Sequence, residues 1–224
     1  MAWTASLFCV LALFLTASLA EAGAWSREKG QTFIAVGGNF FLLDGTTRPV
    51  YYDPTAYVEH GLTDRITVGM DFYMADQNQI AAMMGFVRIP IGSIEGTHRL
   101  ALSFGLGARY DEENGNGILA RDGVHWGMGL EKGWLSIDAS RTTNTRDRIA
   151  RPKLDLTWGR HWNDRWTSTL QLQTGQGFTG DYYAKINPNV VYAATQDLDV
   201  SFGVIKALTG DQGLALKVET WWTF

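Results

Sequence analysis

Few side chains in this sequence have the type and spacing that acid–base or metal chemistry requires. The four histidines are His60, His98, His125 and His161, and no two of them are spaced i, i+2 or i, i+4, as a local pair of metal ligands would be. We therefore expect no metal site and no cofactor. His125 and His161 fall on the polar faces of predicted strands, where hydrogen bonding is the expected role of an imidazole.

A hydrolytic site also lacks a sequence signature. The chain contains no Gly-x-Ser-x-Gly motif, the strained turn that exposes the nucleophilic serine of many hydrolases. A lipid-hydrolysing barrel would need its serine and histidine on the lipid side, whereas Ser136 and Ser140 lie on a strand face that we predict to point inward. We expect no catalytic residue and no enzymatic activity.

Charged residues of both signs on the polar strand faces are the more informative chemistry. They alternate with apolar residues, so an outward apolar face would place them inside a barrel. There they could orient a polar solute, or pair with one another as rigid filler. The predicted lumen-lining residues, which are candidates for setting selectivity, are Glu59, Asp71, Arg109, His125, Asp138, Lys153, Asp155, Lys185, Asp199, Lys217 and Glu219.

The segments that carry these charges alternate with a period of two. In the last one, Leu214, Leu216 and Val218 share one face, while Lys217 and Glu219 share the other. Sustained alternation of this kind predicts strands with one apolar face. Twelve strands are predicted, with ten as the alternative, near 31–42, 49–61, 65–75, 79–91, 98–110, 118–130, 134–142, 151–162, 166–175, 182–194, 198–207 and 213–224.

The connections between the strands fall into two alternating sets. Tight turns lie near 62–64, 92–96, 131–133, 163–165 and 195–197, and longer polar loops lie near 44–49, 111–117, 142–151 and 175–181. Outer-membrane barrels have short periplasmic turns and longer external loops. An even number of strands then places both termini on the periplasmic side.

Composition agrees with a transmembrane β-barrel of one domain. The chain has 224 residues, 25 of them glycine, with 12 % aromatic and 19 % charged residues. Its mean hydropathy of −0.10 is too low for a bundle of membrane helices, but suits strands that turn every second residue to lipid. The net charge of −4 argues against a nucleic-acid partner, which needs a basic surface.

The first residues predict an export signal. The first twenty carry no charge, Leu7 to Leu15 form an apolar core, and Ala20-Glu21-Ala22 is a small-x-small cleavage site. We predict a cleaved signal peptide at 1–22 and an all-β, transmembrane, antiparallel up-and-down β-barrel at 23–224. The only cysteine, Cys9, falls within the signal, so the mature chain would have neither disulfides nor thiolate ligands.

The C-terminal strand looks like the signal that the barrel-assembly machinery reads. Phe224 ends the sequence, and Trp222, Val218 and Leu216 precede it on the same face. The expected location is the outer membrane of a Gram-negative bacterium, and the expected partners are its lipid and lipopolysaccharide, with the assembly machinery during biogenesis.

Two segments carry a resemblance to a known family. Residues 57–69, Tyr-Val-Glu-His-Gly-Leu-Thr-Asp-Arg-Ile-Thr-Val-Gly, and residues 23–30, Gly-Ala-Trp-Ser-Arg-Glu-Lys-Gly, resemble the meta-pathway phenol-degradation family of outer-membrane proteins, which are thought to be transporters. Members usually carry an aromatic residue where this chain has His60. The resemblance implies a barrel for passive uptake of small molecules, and indicates neither a substrate nor a functional residue.

These observations predict a porin-like channel for the passive passage of small solutes through a mixed-charge lumen. The sequence does not indicate which solute. One alternative is a closed structural or interaction barrel without transport. A lipid-modifying outer-membrane enzyme is the least favoured alternative, because the predicted strand faces bring no serine and histidine together on the lipid side.

Overall fold

A computed structural model describes residues 23–42, 50–75, 79–113, 115–177, 180–210 and 213–224. The predicted signal peptide lies outside the described residues. No helix of the described part of the chain is long and apolar enough to cross a membrane. Twelve strands are present: β1 Thr32–Leu42, β2 Val50–Thr63, β3 Ile66–Ala75, β4 Ile80–Pro90, β5 His98–Asp111, β6 Gly117–Leu130, β7 Gly133–Asn144, β8 Ala150–His161, β9 Trp166–Gln176, β10 Tyr182–Ala193, β11 Leu198–Thr209 and β12 Leu214–Thr223.

The strands form one closed antiparallel barrel. Each strand pairs with its neighbours in the sequence, and β1 pairs with β12 to close the ring. At the seam, Thr32 N–H donates to the Phe224 carbonyl at 2.7 Å, and Phe224 N–H donates to the Thr32 carbonyl at 3.0 Å. Closure leaves no strand edge unpaired, which a strand structure in the apolar core of a membrane requires.

The predicted up-and-down barrel of twelve strands is confirmed, and the ten-strand alternative is wrong. In β4 and at the start of β6 the side chains do not alternate regularly between apolar and polar, yet both strands are continuous, because backbone groups pair whatever the side chains are. For the same reason the strands extend into the predicted polar loops. The loop predicted at 142–151 shortens to 145–149, since Thr142 pairs with Arg151 and Thr143 with Ala150.

The two faces of the wall have the opposite polarity to those of a soluble protein. Large apolar side chains stand exposed on the outside, including Leu106, Ile118 and Phe202, whose relative exposures are 71 %, 59 % and 55 %. The alternate positions are polar and point inward, where Thr67 and Asn187 are almost fully buried. An apolar exterior around a polar interior is the arrangement of a barrel that spans a membrane.

Aromatic side chains are exposed at the ends of several strands. Trp162 and Trp166 flank the turn between β8 and β9, and both are exposed. The Trp162 indole N–H donates to the Ser168 hydroxyl at 2.9 Å, and the Trp166 ring lies 4.8 Å from that of Tyr192. Such rings, apolar in body and polar at the edge, favour the boundary between membrane and water.

Candidate functional site

The inner wall of the barrel carries the predicted charges, and several of them are paired. Lys153 and Asp155 lie two residues apart on β8 and form an ion pair with an N–O distance of 2.6 Å. Lys217 and Glu219 have the same spacing on β12, with a distance of 3.0 Å. Spacing by two places both members on one strand face. The Lys153 side chain is 44 % exposed, so solvent reaches this part of the inner wall.

A third pair bridges strands that are not neighbours. Asp71 on β3 is paired with Arg121 on β6, and β4 and β5 lie between those strands in the barrel wall. This contact therefore runs across a chord of the lumen. Both side chains keep about a quarter of their surface exposed, 26 % for Asp71 and 27 % for Arg121. Both charges are therefore partly accessible within the lumen.

Glu59 is the centre of a buried charge network. One of its carboxylate oxygens accepts from Arg27 Nε at 2.6 Å, and the other pairs with Arg88 and accepts from the Tyr57 hydroxyl at 2.6 Å. The Glu59 side chain is 2 % exposed. Burying a charge is costly unless it is paired and hydrogen-bonded, and here two guanidinium groups and a hydroxyl supply those contacts.

Aromatic rings pack around this network inside the barrel. The Phe33 ring lies 6.3 Å from that of Tyr57 and 6.2 Å from that of Trp221, and Tyr57 stacks on Phe86 at 5.8 Å. The Arg27 guanidinium lies 4.4 Å above the Phe33 ring, within range of a cation–π contact. We define the aromatic layer as Phe33, Tyr57, Phe86 and Trp221. Its members were not among the predicted lumen residues, although Tyr57 and Trp221 each lie two residues from a predicted charge, Glu59 and Glu219, on the same strand face.

A hydrogen-bonded chain of three side chains lies on the inner faces of β5, β6 and β7. The Ser103 hydroxyl is 2.8 Å from His125 Nε2, and His125 Nδ1 is 2.7 Å from the Asp138 carboxylate. The sequence analysis singled out His125 and Asp138 but not Ser103. Strand register could have found it: Ser103 pairs with Gly123, two residues before His125, so all three side chains share a face.

The three side chains are linked in the order serine, histidine, aspartate, as in the catalytic triad of a serine hydrolase. Their surroundings differ from those of an active site. Such an enzyme also needs backbone or side-chain donors free to bind the developing oxyanion. Ser103 lies in the middle of β5, which pairs with β4 on one side and β6 on the other, so the ladders use the nearby N–H groups of these described strands. The chain of hydrogen bonds orders the wall and orients the Asp138 carboxylate.

The remaining predicted lumen residues have varied surroundings. Arg109 is paired with Asp111 at the end of β5, and the Lys185 ammonium lies 5.4 Å from the centre of the Tyr183 ring. Asp199 lies on the inner face of β11, and its side chain is partly buried. No group of three potential metal ligands occurs in the described ranges. The influence of these charges on selectivity stays a prediction.

The residues of the predicted assembly signal lie along the closing seam. Leu216 and Val218 pair with Phe40 and Gly38 of β1 on one side, and with Val204 and Phe202 of β11 on the other. Trp222 pairs with Ile34, and Phe224 makes the last hydrogen bonds to β1. Their recognition by an assembly machinery stays a prediction.

Comparison with known proteins gives matches by structure and none by sequence. No protein-family model and no curated protein matches the sequence. Among solved structures, KdgM porin has a TM-score of 0.64 with 9 % identity, over 85 % of this chain and 99 % of that one. KdgM porin in complex with disordered oligogalacturonate gives 0.65, with the same identity and coverage. The Ralstonia pickettii toluene transporter TbuX gives 0.52 at 9 % identity, over 88 % of this chain and 89 % of that one.

The chain has a porin-like fold. At 9 % identity the similarity concerns the fold alone. It gives no correspondence between the lumen-lining residues of these proteins and those of this chain. The resemblance to the meta-pathway phenol-degradation family is not supported by any matching family model, so that membership stays a prediction.

Proposed function

We propose that this protein is an outer-membrane channel that passes small polar solutes passively. The observation that carries the proposal is the set of paired charges on an inner wall that solvent reaches, above all Lys153 with its 44 % exposed side chain beside Asp155. The apolar exterior and the fold similarity to KdgM porin and TbuX support the membrane location. With the short turn at 64–65 on the side of the termini, we place both termini in the periplasm.

The pairing of charges defines what kind of solute the lumen would favour. Lys153–Asp155 and Lys217–Glu219 each present an ammonium and a carboxylate side by side, so each pair is nearly neutral from a distance. Close to the wall, each pair offers donors and acceptors to a passing molecule. We infer weak discrimination by net charge, and better passage for solutes rich in hydroxyl groups than for apolar ones.

Reversal potentials of single channels test this role directly. In a salt gradient across a planar bilayer, Lys153→Gln should shift the channel towards cations and Asp155→Asn towards anions, because each change leaves its partner uncompensated. We expect permeability ratios to change by no more than about fivefold, since two unit charges about 4 Å apart in water interact by about 1 kcal/mol.

The matched control is Lys132→Gln, which removes an exposed lysine from the two-residue turn between β6 and β7. It should leave the reversal potential unchanged. Shifts of the same sign in both β8 variants, or none in either, would contradict a conduction path along Lys153 and Asp155.

A closed barrel without transport is the second candidate, and a specific observation favours it. Several inner-wall side chains are almost completely buried, among them Ala101, Thr67, Ala215 and Ser201 at 0 to 1 % exposure. Together with the aromatic layer they fill part of the lumen. A closed barrel would be correctly folded and electrically silent in the bilayer experiment.

A further inference from the structure

Residues 23–30, here called the lumen strap, leave the barrel wall before β1 and enter the lumen. The strap is fixed at its C-terminal end: Gly30 N–H donates to the Gly61 carbonyl at 2.8 Å, and Lys29 N–H donates to the Asp64 carboxylate at 3.0 Å. Further in, Arg27 N–H donates to the Thr67 hydroxyl at 2.9 Å. Its guanidinium joins the Glu59 network. The strap is thus held against β2 and β3.

The other end of the strap reaches the far wall. Trp25 packs so closely on Gly127 of β6 that a Cβ there would collide with its ring, and Ala24 is 1 % exposed. Gly23 lies against Asp138 of β7, and a Cβ at Gly23 would collide with that carboxylate. In the ring of twelve strands, β7 is six strands from β1 in both directions. The strap therefore crosses the lumen.

The position of Gly23 coincides with an independent feature of the sequence. Ala20-Glu21-Ala22 is the small-x-small pattern that precedes an export cleavage site, so Gly23 is the expected first residue of the mature chain. A free α-amino group has a pKa of about 7.7–8.0 and is mostly protonated at neutral pH. Asp138 is hydrogen-bonded to His125, whose Nδ1 lies 2.7 Å from the carboxylate, and an ammonium ion beside this carboxylate would give it a fully charged partner.

We propose that cleavage after Ala22 makes Gly23 the mature amino terminus, and that its α-ammonium ion binds Asp138 and fastens the lumen strap across the pore as a gate. Glycine suits the position because a side chain would meet the carboxylate. The Ser103–His125–Asp138 chain then has a structural purpose, since it orients the carboxylate that receives the ammonium. The gate rests on the proposed channel function, whereas the anchoring of the amino terminus does not.

The amino terminus is the first part of the test. We would purify the protein from the outer membrane of cells that export it, and determine its N-terminal sequence and intact mass. The expected first residue is Gly23. A chain that begins at any other residue would overturn the proposal.

The second part measures the reactivity of the α-amino group in the folded barrel. Reductive methylation should be slow in the wild type and roughly tenfold faster in Asp138→Asn, the factor expected from the loss of a charge-assisted hydrogen bond. Asp164→Asn, in the exposed turn between β8 and β9, is the matched control and should behave as the wild type. Equal rates in wild type and Asp138→Asn would refute the anchor.

A second pair of variants keeps the test decisive if Asp138→Asn does not fold. The predicted mature chain contains no cysteine, so single cysteines report on single positions. Ala24→Cys should be protected from a water-soluble thiol reagent, and Glu28→Cys at the exposed end of the strap should react readily. Equal, fast labelling at both positions would mean that the strap does not occupy the lumen.

Conductance separates the gate from the anchor. Asp138→Asn should raise the single-channel conductance or the fraction of time that the channel is open. If wild type and variant are both silent while the amine and cysteine results hold, the anchored strap stands and the channel function fails. If the wild type conducts and its amine is unprotected, the channel stands and the anchor fails.

Discussion

At the scale of single residues, the Glu59 network joins the barrel wall to the lumen strap. Arg27 belongs to the strap, Arg88 to β4 and Tyr57 to β2, and all three contact the same carboxylate. A buried ion pair adds little stability over a well-packed apolar group, but removing one member leaves the other charge unpaired. Glu59 should therefore be important for both stability and the position of the strap.

Replacing Glu59 with glutamine tests this. The change keeps the shape of the side chain but leaves Arg27 and Arg88 facing a neutral amide, so we expect a loss of about 3–5 kcal/mol in the free energy of unfolding. Urea unfolding of the barrel in lipid vesicles would measure it. Glu95→Gln, in the exposed turn between β4 and β5, is the matched control. Equal stability of the two variants would show that the network does not stabilise the fold.

Sequence could predict the faces on which these residues lie, but not their partners. Alternation is a local property, and it places Glu59, Asp71 and Lys217 on inner faces from a few neighbouring residues. The contact between Asp71 and Arg121 depends on how the ring closes and on its diameter. The contacts of Arg27 depend on the path of a segment that has no strand pattern, so no periodicity could indicate them.

At the scale of elements, the strands owe their membrane location to the outer apolar face. Ile137 lies near the middle of β7 and faces outward with 39 % exposure, whereas Leu130 faces outward at the end of β6. A charge on the lipid face costs about 2–4 kcal/mol at the bilayer midplane and about 0–1 near the interfaces. The loss of stability caused by an arginine on the lipid face should therefore depend on the depth of the substituted residue in the bilayer.

The comparison is between Ile137→Arg and Leu130→Arg. We expect the first to lower the free energy of unfolding in vesicles by about 2–4 kcal/mol and the second by less than about 1 kcal/mol. Both variants add one arginine to the same face of neighbouring strands, so net charge does not distinguish them. Equal losses, or none, would contradict a lipid-facing position for Ile137.

The strands themselves were predictable to within a few residues because most of them alternate between apolar and polar side chains along their length. The loop ends were less predictable. At Thr142 and Thr143 the side chains on both faces are polar, yet the ladder with β8 continues through them. The alternation of apolar and polar residues marks only the part of each strand that faces lipid. The hydrogen-bonded pairing of the strands continues beyond that part towards the loops. The described loops at 112–116, 145–149 and 177–181 are consequently shorter than the polar segments suggest.

At the scale of the whole molecule, the barrel combines accessible and filled regions. Solvent reaches Lys153 and the Asp71–Arg121 pair, while the strap, the Glu59 network and the aromatic layer occupy the lumen near the start of β1. A lumen of this kind would conduct through the space that the strap leaves, or after the strap moves. The filled part narrows the lumen at the end where both termini lie.

Solute entry into vesicles tests the central claim, that this barrel is a channel for small polar solutes, most directly. Liposomes containing the mature protein would be diluted into isotonic solutions of uncharged sugars of increasing size, and their swelling followed by light scattering. The account predicts rapid swelling with the smallest sugars, a rate that falls with sugar size, and faster swelling for Asp138→Asn. The account would be contradicted if liposomes containing folded wild type and liposomes containing folded Asp138→Asn both swelled no faster than protein-free liposomes with every sugar tested.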